Sequence, residues 1–385
     1  MADPIQSYLA RFAEPEAHEP WVLSRTFEHC LVVPAYDEAP DPIARMASQG
    51  KGGLLVVVVV NVPDNADTAS VNRTQVLLAE LHKLSADNVL IINRVANPIP
   101  QRQGVGLARK IGTDVALKLF TEAKLASPWL RQTDADADLP ADYYSAALPA
   151  GGALVYSHTH HAKDPLLQQA ANLYDLHMRY YVAAIRHAGS HYAYPTLGST
   201  IAVHARDYAA VRGFPKRNAA EDFYLLNKVA KVGGVTISDV SIALAARTSH
   251  RVPFGTGPAL AKVCSLLEQD PTGKSYLSYS WSSFRLLASA HAELNQFANG
   301  QPPLFSRNVE PLMDALGFSK KVHMFAEQYA PGPRRQTALR DWFDAFKTLR
   351  FVHEARRYHA DESLIATMQR IPTSVRDDAR IAHSM

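Results

Sequence analysis

The sequence predicts an α/β protein with a mostly parallel central sheet flanked by helices and a C-terminal helical extension. Three observations carry this. Short apolar runs alternate with segments of helical periodicity through the first half of the chain, the rhythm of strand–helix–strand units. One run, "GGLLVVVVVNV", is apolar over nearly its whole length and reads as a strand buried on both faces. Beyond about Pro258 the strand patterns give way to aromatic-rich helical ones.

Each element follows from its own pattern. Residues up to about 26 form a helical or irregular lead-in. "EHCLVVPAYDE" is an apolar strand followed by a polar loop, and "GLLVVVVVNVPDNAD" repeats that scheme. "SVNRTQVLLAELHKL" has helical spacing, "NVLIINRV" is a third strand, and "GVGLARKIGTDVALKLFTEA" is an amphipathic helix opened by glycines. A helix is expected over "ADYYSAAL" and a strand over "GGALVYSHTH". "DPLLQQAANLYDLHMRYYVAAIRHAG" is a long helix, and "YPTLGSTIAVHARDYAAVRGF" reads as a strand and a short helix. "AEDFYLLNKVAKVGG" is a helix stopped by glycines, and "VTISDVSIALAAR" is mostly strand. The expected division is an α/β domain over 1–257 and a mainly helical region over 258–385.

The bulk numbers narrow the classes. The chain has 385 residues, 47% hydrophobic and 20% charged, so it can bury a large core without staples. A formal charge of +3 is too small to argue for nucleic acid or a membrane surface as partner. The valine-rich run is too short to cross a bilayer, which needs about 20 residues, so no integral membrane segment is expected. The first twenty residues carry charge and proline and do not read as a secretory signal. Cys30 and Cys264 form no disulfide framework and fit a reducing, cytoplasmic compartment.

The unusual stretch is "LRQTDADADLPADYY", in which Asp134, Asp136 and Asp138 alternate with alanines where a strand should end. Clustered carboxylates need either water or a cation. An EF-hand is excluded. Counting Asp134 as position one puts Leu139 where glycine is required and Ser145 where the bidentate glutamate belongs. In an extended segment residues two apart point the same way, so Asp134 and Asp136 can reach one Mg²⁺ or Mn²⁺ together. The plain alternative is a solvated acidic loop.

Three motifs in order resemble family 2 glycosyltransferases of the GT-A type, over roughly Cys30 to Gly257. They are "LVVPAYDE", the Asp134-Ala135-Asp136 motif, and "AAEDFYLLNKVAKVGG". The resemblance implies a nucleoside-diphosphate sugar as donor, a hydroxyl acceptor, and a divalent metal, Mg²⁺ or Mn²⁺. It assigns Pro34, Tyr36 and Glu38, with Asp64 of the next loop, to the nucleotide-sugar. Asp134 and Asp136 would hold the metal and diphosphate, and Asp222 would be the general base, with inversion at the anomeric carbon. Glu221 and Gly198 would lie near the acceptor or support the base. Arg109 and Lys110 would face the nucleotide-sugar. His250 would complete the metal site and Arg251 would reach the diphosphate.

Competing readings remain open at this stage. Gly104 and Gly106 before a helix hint at a dinucleotide fingerprint, but Arg109 stands at its third glycine. Glu221 and Asp222 also suit a helix N-terminus for dipole reasons alone. His158, His160 and His161 could bind zinc, but acceptor lining or plain surface is preferred because no acid or cysteine lies close in sequence. A nucleotidyltransferase is the rival enzyme class, although "PAYDEAPDP" lacks its glycine-and-lysine loop. A non-catalytic binding protein on the same scaffold is the third option. The C-terminal helices serve as a packed cap, an acceptor cover or a homodimer interface. The Q-x-x-R-W pattern of processive synthases is missing after the last predicted strand, which argues against a membrane-embedded polymerase.

Overall fold

A computed structural model describes residues 3–49, 53–84, 86–248 and 255–380 of the chain. It divides into two compact units, Met1–Ala162 with Thr196–Pro258, and Lys163–Pro195 with Ala259–Met385. The segment 163–195 thus leaves the expected 1–257 domain and belongs with the second unit.

In chain order the elements are α1 (Pro4–Arg11), β1 (His29–Ala35), α2 (Pro40–Gln49), β2 (Leu54–Pro63), α3 (Thr68–Lys83), β3 (Val89–Ile99) and α4 (Gly104–Thr121). They continue with β4 (Trp129–Gln132), β5 (Ala137–Asp138), β6 (Ala153–His161), α5 (Pro165–His187), β7 (Ile201–His204), α6 (Ala205–Ala210), α7 (Glu221–Val232) and β8 (Val235–Ala245).

The first unit is built on an eight-stranded sheet of order β3-β2-β1-β4-β7-β6-β8-β5. The pairs β1–β2, β2–β3, β1–β4 and β6–β8 are parallel, whereas β7 runs antiparallel to both β4 and β6. The period-2 rule explains the valine run. Val56, Val58 and Val60 pack with Leu31 and Val33 of β1 and with Ile43, Met46, Leu77 and Leu81 of α2 and α3. Val32 and Val59 face the other way, against Gly112 of α4. Both sheet faces are therefore covered, and each fully buried valine contributes about 1.5–3 kcal/mol. Helix α4 is buried along almost its whole length.

One expected helix does not form. "ADYYSAAL" yields only a 3₁₀ turn at Tyr143–Ser145. Tyr143 is fully buried, its ring stacks on Tyr156 at 4.3 Å, and the Tyr156 hydroxyl donates to the Tyr143 carbonyl at 3.1 Å. That carbonyl is the acceptor an α-helix would use, so tertiary packing overrides local propensity.

The second unit contains α5, whose N-cap Asp164 accepts from the Leu167 amide at 2.8 Å. It also holds α8 (Thr256–Gln269), nearly all of which lies in this unit, α9 (Trp281–Ala298), α10 (Glu310–Ala315), α11 (Val322–Gln328), α12 (Pro333–Trp342), α13 (Ala345–Ala355), α14 (Leu364–Arg370) and α15 (Thr373–Arg380). A short antiparallel pair joins β9 (Leu277–Ser278) to β10 (Glu362–Ser363). Tyr180, Ala184, Phe284, Leu287, Phe351 and Val352 are central to its core. Residues of α5 enter that core and α5 packs against α9 and α15, which explains its membership. Cys30 and Cys264 are both free thiols. Among the described residues no helix is long and apolar enough to cross a membrane.

Candidate active site

Strand direction gathers the candidate residues. Because β1, β2, β3 and β4 are mutually parallel, the loops after them leave from one edge of the sheet. Tyr36 to Glu38 follow β1, Asp64 follows β2, the start of α4 follows β3, and Asp134 to Asp136 follow β4. Antiparallel β7 begins where β4 ends, since Arg131 pairs with Ala202, so Gly198 belongs to the same edge. β5 then crosses to the far strand and pairs Ala137 with Leu244 of β8, three residues before Arg247.

The aspartate motif is a turn, not the extended segment its spacing suggested. The Asp134 carbonyl accepts from the Ala137 amide at 3.2 Å, the i to i+3 bond of a β-turn. Asp134 and Asp136 reach different partners. Arg109 Nη2 donates to Asp134 Oδ1 at 2.6 Å, while Arg109 Nε donates to Glu221 Oε1 at 3.0 Å. Arg247 Nη2 lies 2.6 Å from Asp136 Oδ2 and donates, with Nη1, to both oxygens of Glu38 at 3.0 and 2.9 Å.

Arg109 thus ties the aspartate turn to the start of α7. The residue before that helix, Ala220, has φ +60°, a left-handed conformation that costs a non-glycine residue about 1–2 kcal/mol. Asp37 shares the feature, with φ +56°. Both lie within the quoted motifs, and among the described residues Ala123 and Arg212 share the conformation elsewhere. Asp37 turns its carboxylate to Arg73 at 2.6 and 2.9 Å, which leaves Glu38 as the acid of that loop facing Arg247.

Electrostatics join the pieces. Burial and then the Glu221 charge push Asp222 up to about 7, and Arg109 and Asp134 also act on it. Burial and then Asp134 push Asp136 up to about 6, against the pull of Arg247. Asp136 and Asp222 both feel Asp134 and so share one field. Among the described residues Arg109 pairs with Asp134 and Glu221, and Arg247 pairs with Glu38 and Asp136, so four carboxylates share these two guanidiniums, with Asp222 beside them. An all-oxygen donor set with excess negative charge, already drawing in a guanidinium, fits Mg²⁺ or Mn²⁺ better than a thiolate-preferring metal. Asp134 and Asp136 are the residues that would hold it.

Other predicted residues have different surroundings. Lys110 follows Arg109, and one helical step of about 100° separates their directions. It is buried, and its Nζ donates to the Tyr8 hydroxyl at 2.6 Å and to Asp114 Oδ2 at 2.8 Å. It anchors α1 and does not face the aspartate turn. Asp64 accepts from the Gln101 amide at 2.9 Å and ties two loops together. Pro34 and Tyr36 are half-buried at the end of β1 and just beyond. His250 and Arg251 lie outside the described residues.

The glycines also change meaning. A Cβ at Gly198 would meet Arg109 Nη2 at 2.5 Å, so the backbone there lies against the guanidinium. A Cβ at Gly106 would meet the carbonyls of Pro215 and Arg217 at 2.5 Å, and the Gly106 amide donates to Arg217 at 2.9 Å. The glycines opening α4 therefore dock the loop that delivers Glu221 and Asp222. His158 and His160 are buried, 5% and 3% exposed, with rings 5.6 Å apart, which rules out plain surface for both.

Arg247 is the residue that sequence reasoning missed. Its signal was present: it is the first basic residue after the last strand of the sheet. No family model matches the chain, and no curated protein matches it.

Proposed function

We propose that this chain is a metal-dependent glycosyltransferase of GT-A type, moving a sugar from a nucleoside-diphosphate sugar to an acceptor hydroxyl. The observation that carries the reading is the single acidic cluster in which Arg109 bridges Asp134 to Glu221, with Asp222 beside it. Such a transfer needs a cationic seat for the leaving diphosphate and, next to it, a base for the acceptor. Mg²⁺ or Mn²⁺, when bound, supplies Lewis-acid neutralisation of that diphosphate.

The chain's own residues divide the rest of the work. Asp134 and Asp136 orient the cation. Asp222 takes the proton from the attacking hydroxyl, and a carboxyl held near 7 is a better base than an ordinary aspartate. Glu221, buried against Arg109, keeps α7 in register with the aspartate turn. Attack opposite the leaving group inverts the anomeric carbon.

The test is a donor panel with Mn²⁺, followed by product analysis. Release of a nucleoside diphosphate with sugar transfer or hydrolysis is the expected result. Pyrophosphate release would replace this reading with a nucleotidyltransferase. Failure to bind any nucleoside diphosphate would abandon both.

A further inference from the structure

The two guanidiniums of the site are held very differently. The Arg109 side chain is 3% exposed, wedged against the Gly198 backbone and spanning two carboxylates. The Arg247 side chain is 44% exposed and lies just beyond the end of β8, where pairing of β5 with β8 keeps it beside the aspartate turn. Its partner Asp136 has a side chain 20% exposed, and Asp134 is 44% exposed on the same turn. Arg109 is built in, whereas Arg247 can leave Asp136 without opening the core.

We propose that Arg247 is a stand-in cation that occupies Asp136 until donor diphosphate and divalent metal arrive together. This rests on the glycosyltransferase reading. A metal ion arriving alone must break the Arg247–Asp136 pair and then sit beside a displaced positive charge. A diphosphate removes both obstacles. Its oxygens offer the planar guanidinium a two-point anion of the kind arginine prefers. They also complete the oxygen shell of an ion that takes only one or two protein carboxylates. Metal and nucleotide binding are therefore coupled, and linkage makes the coupling reciprocal. Arg247 also keeps the cluster from repelling itself apart when nothing is bound, because it sits between Glu38 and Asp136 and pairs with both.

The test is a titration of the full chain with Mn²⁺, following free Mn²⁺ by electron paramagnetic resonance. It is run alone and with uridine, guanosine, adenosine, cytidine and thymidine diphosphates. In the wild type the matching nucleotide should tighten Mn²⁺ by about tenfold or more, within the usual range of coupling. In Arg247→Met, Mn²⁺ alone should bind about tenfold tighter than in the wild type, and the nucleotide-induced tightening should shrink to the part that direct phosphate coordination of the ion supplies. Arg247→Lys keeps the charge without the fork and should lie between the two. If Arg247→Met binds nucleotide with Mn²⁺ yet holds Mn²⁺ alone no tighter than the wild type, the exchange is overturned while the function stands. If no protein binds Mn²⁺ or any of the nucleotides, the function itself fails and takes the exchange with it.

Discussion

Arg109 and Lys110 are consecutive residues of α4 that serve two clusters of opposite character. Lys110 enters a closed one. Asp114 is fully buried and accepts from Tyr8 at 2.6 Å, Tyr208 at 2.8 Å, Lys110 at 2.8 Å and the Glu14 amide at 2.8 Å. Burial pushes that carboxyl up and the donors pull it back. Every lone-pair direction is taken, so the cluster has nothing left to offer a ligand. Arg109 enters an open one, where among the described residues Arg109 and Arg247 are each shared by two carboxylates and Asp134 reaches solvent. Buried charge is therefore a poor guide to function by itself. The informative quantities are whether the charges balance and whether one of them is accessible.

That contrast can be broken most directly at the open cluster. Asp222→Asn should lower transfer by about 10²–10⁴-fold, the usual worth of a general base, with unchanged circular dichroism and no loss of stability. Asp136→Ala should fall as far and also lose Mn²⁺ binding, read by titration. At the closed cluster the effect should move to stability. Asp114→Ala strands a buried lysine and should cost about 3–5 kcal/mol in urea unfolding, while turnover per folded molecule is kept. Strong loss of turnover without loss of stability would erase the distinction between the two clusters.

Acidity separates them at smaller scale. With Asp222 raised from an ordinary 3.8 to about 7, kcat/KM should rise about tenfold per pH unit below 7 and level off above. Stability should run the other way. A folded-state value above the unfolded one makes ionisation unfavourable to folding, so this contribution is lost as pH rises from about 4 to about 7. Asp222→Asn should remove both trends, as checked by rate profiles and urea titrations across that window. The smallest change tests the wedge behind Arg109. Gly198→Ala should press on the guanidinium and cost about 1–3 kcal/mol, with a weaker loss of activity than Asp222→Asn.

Much of the first unit was legible in the sequence. The valine run announced a strand covered on both faces, α3, α4 and α7 followed their apolar spacing, and α7 ended at its glycine. The misses share a cause. "ADYYSAAL" has helical spacing, but burial of Tyr143 against Tyr156 decided otherwise. Arg109 and Lys110 look alike on paper, and only the direction each faces from α4 assigns one to the aspartate turn and the other to α1. Arg247 was passed over for His250 and Arg251 although it is the first basic residue after β8. Its partner Asp136 is brought to it by a strand that crosses the sheet.

By itself, the sequence determined most of the strand and helix segments and where acidic side chains cluster along the chain. These depend on neighbours within about four residues, the range over which helix and strand periodicity acts. The tertiary structure alone decided which arginine meets which carboxylate, and that Arg109 and Arg247 each join carboxylates from separate segments. Those pairings depend on strand order and crossover direction, which bring together residues as distant as Glu38 and Arg247 and which no local pattern encodes.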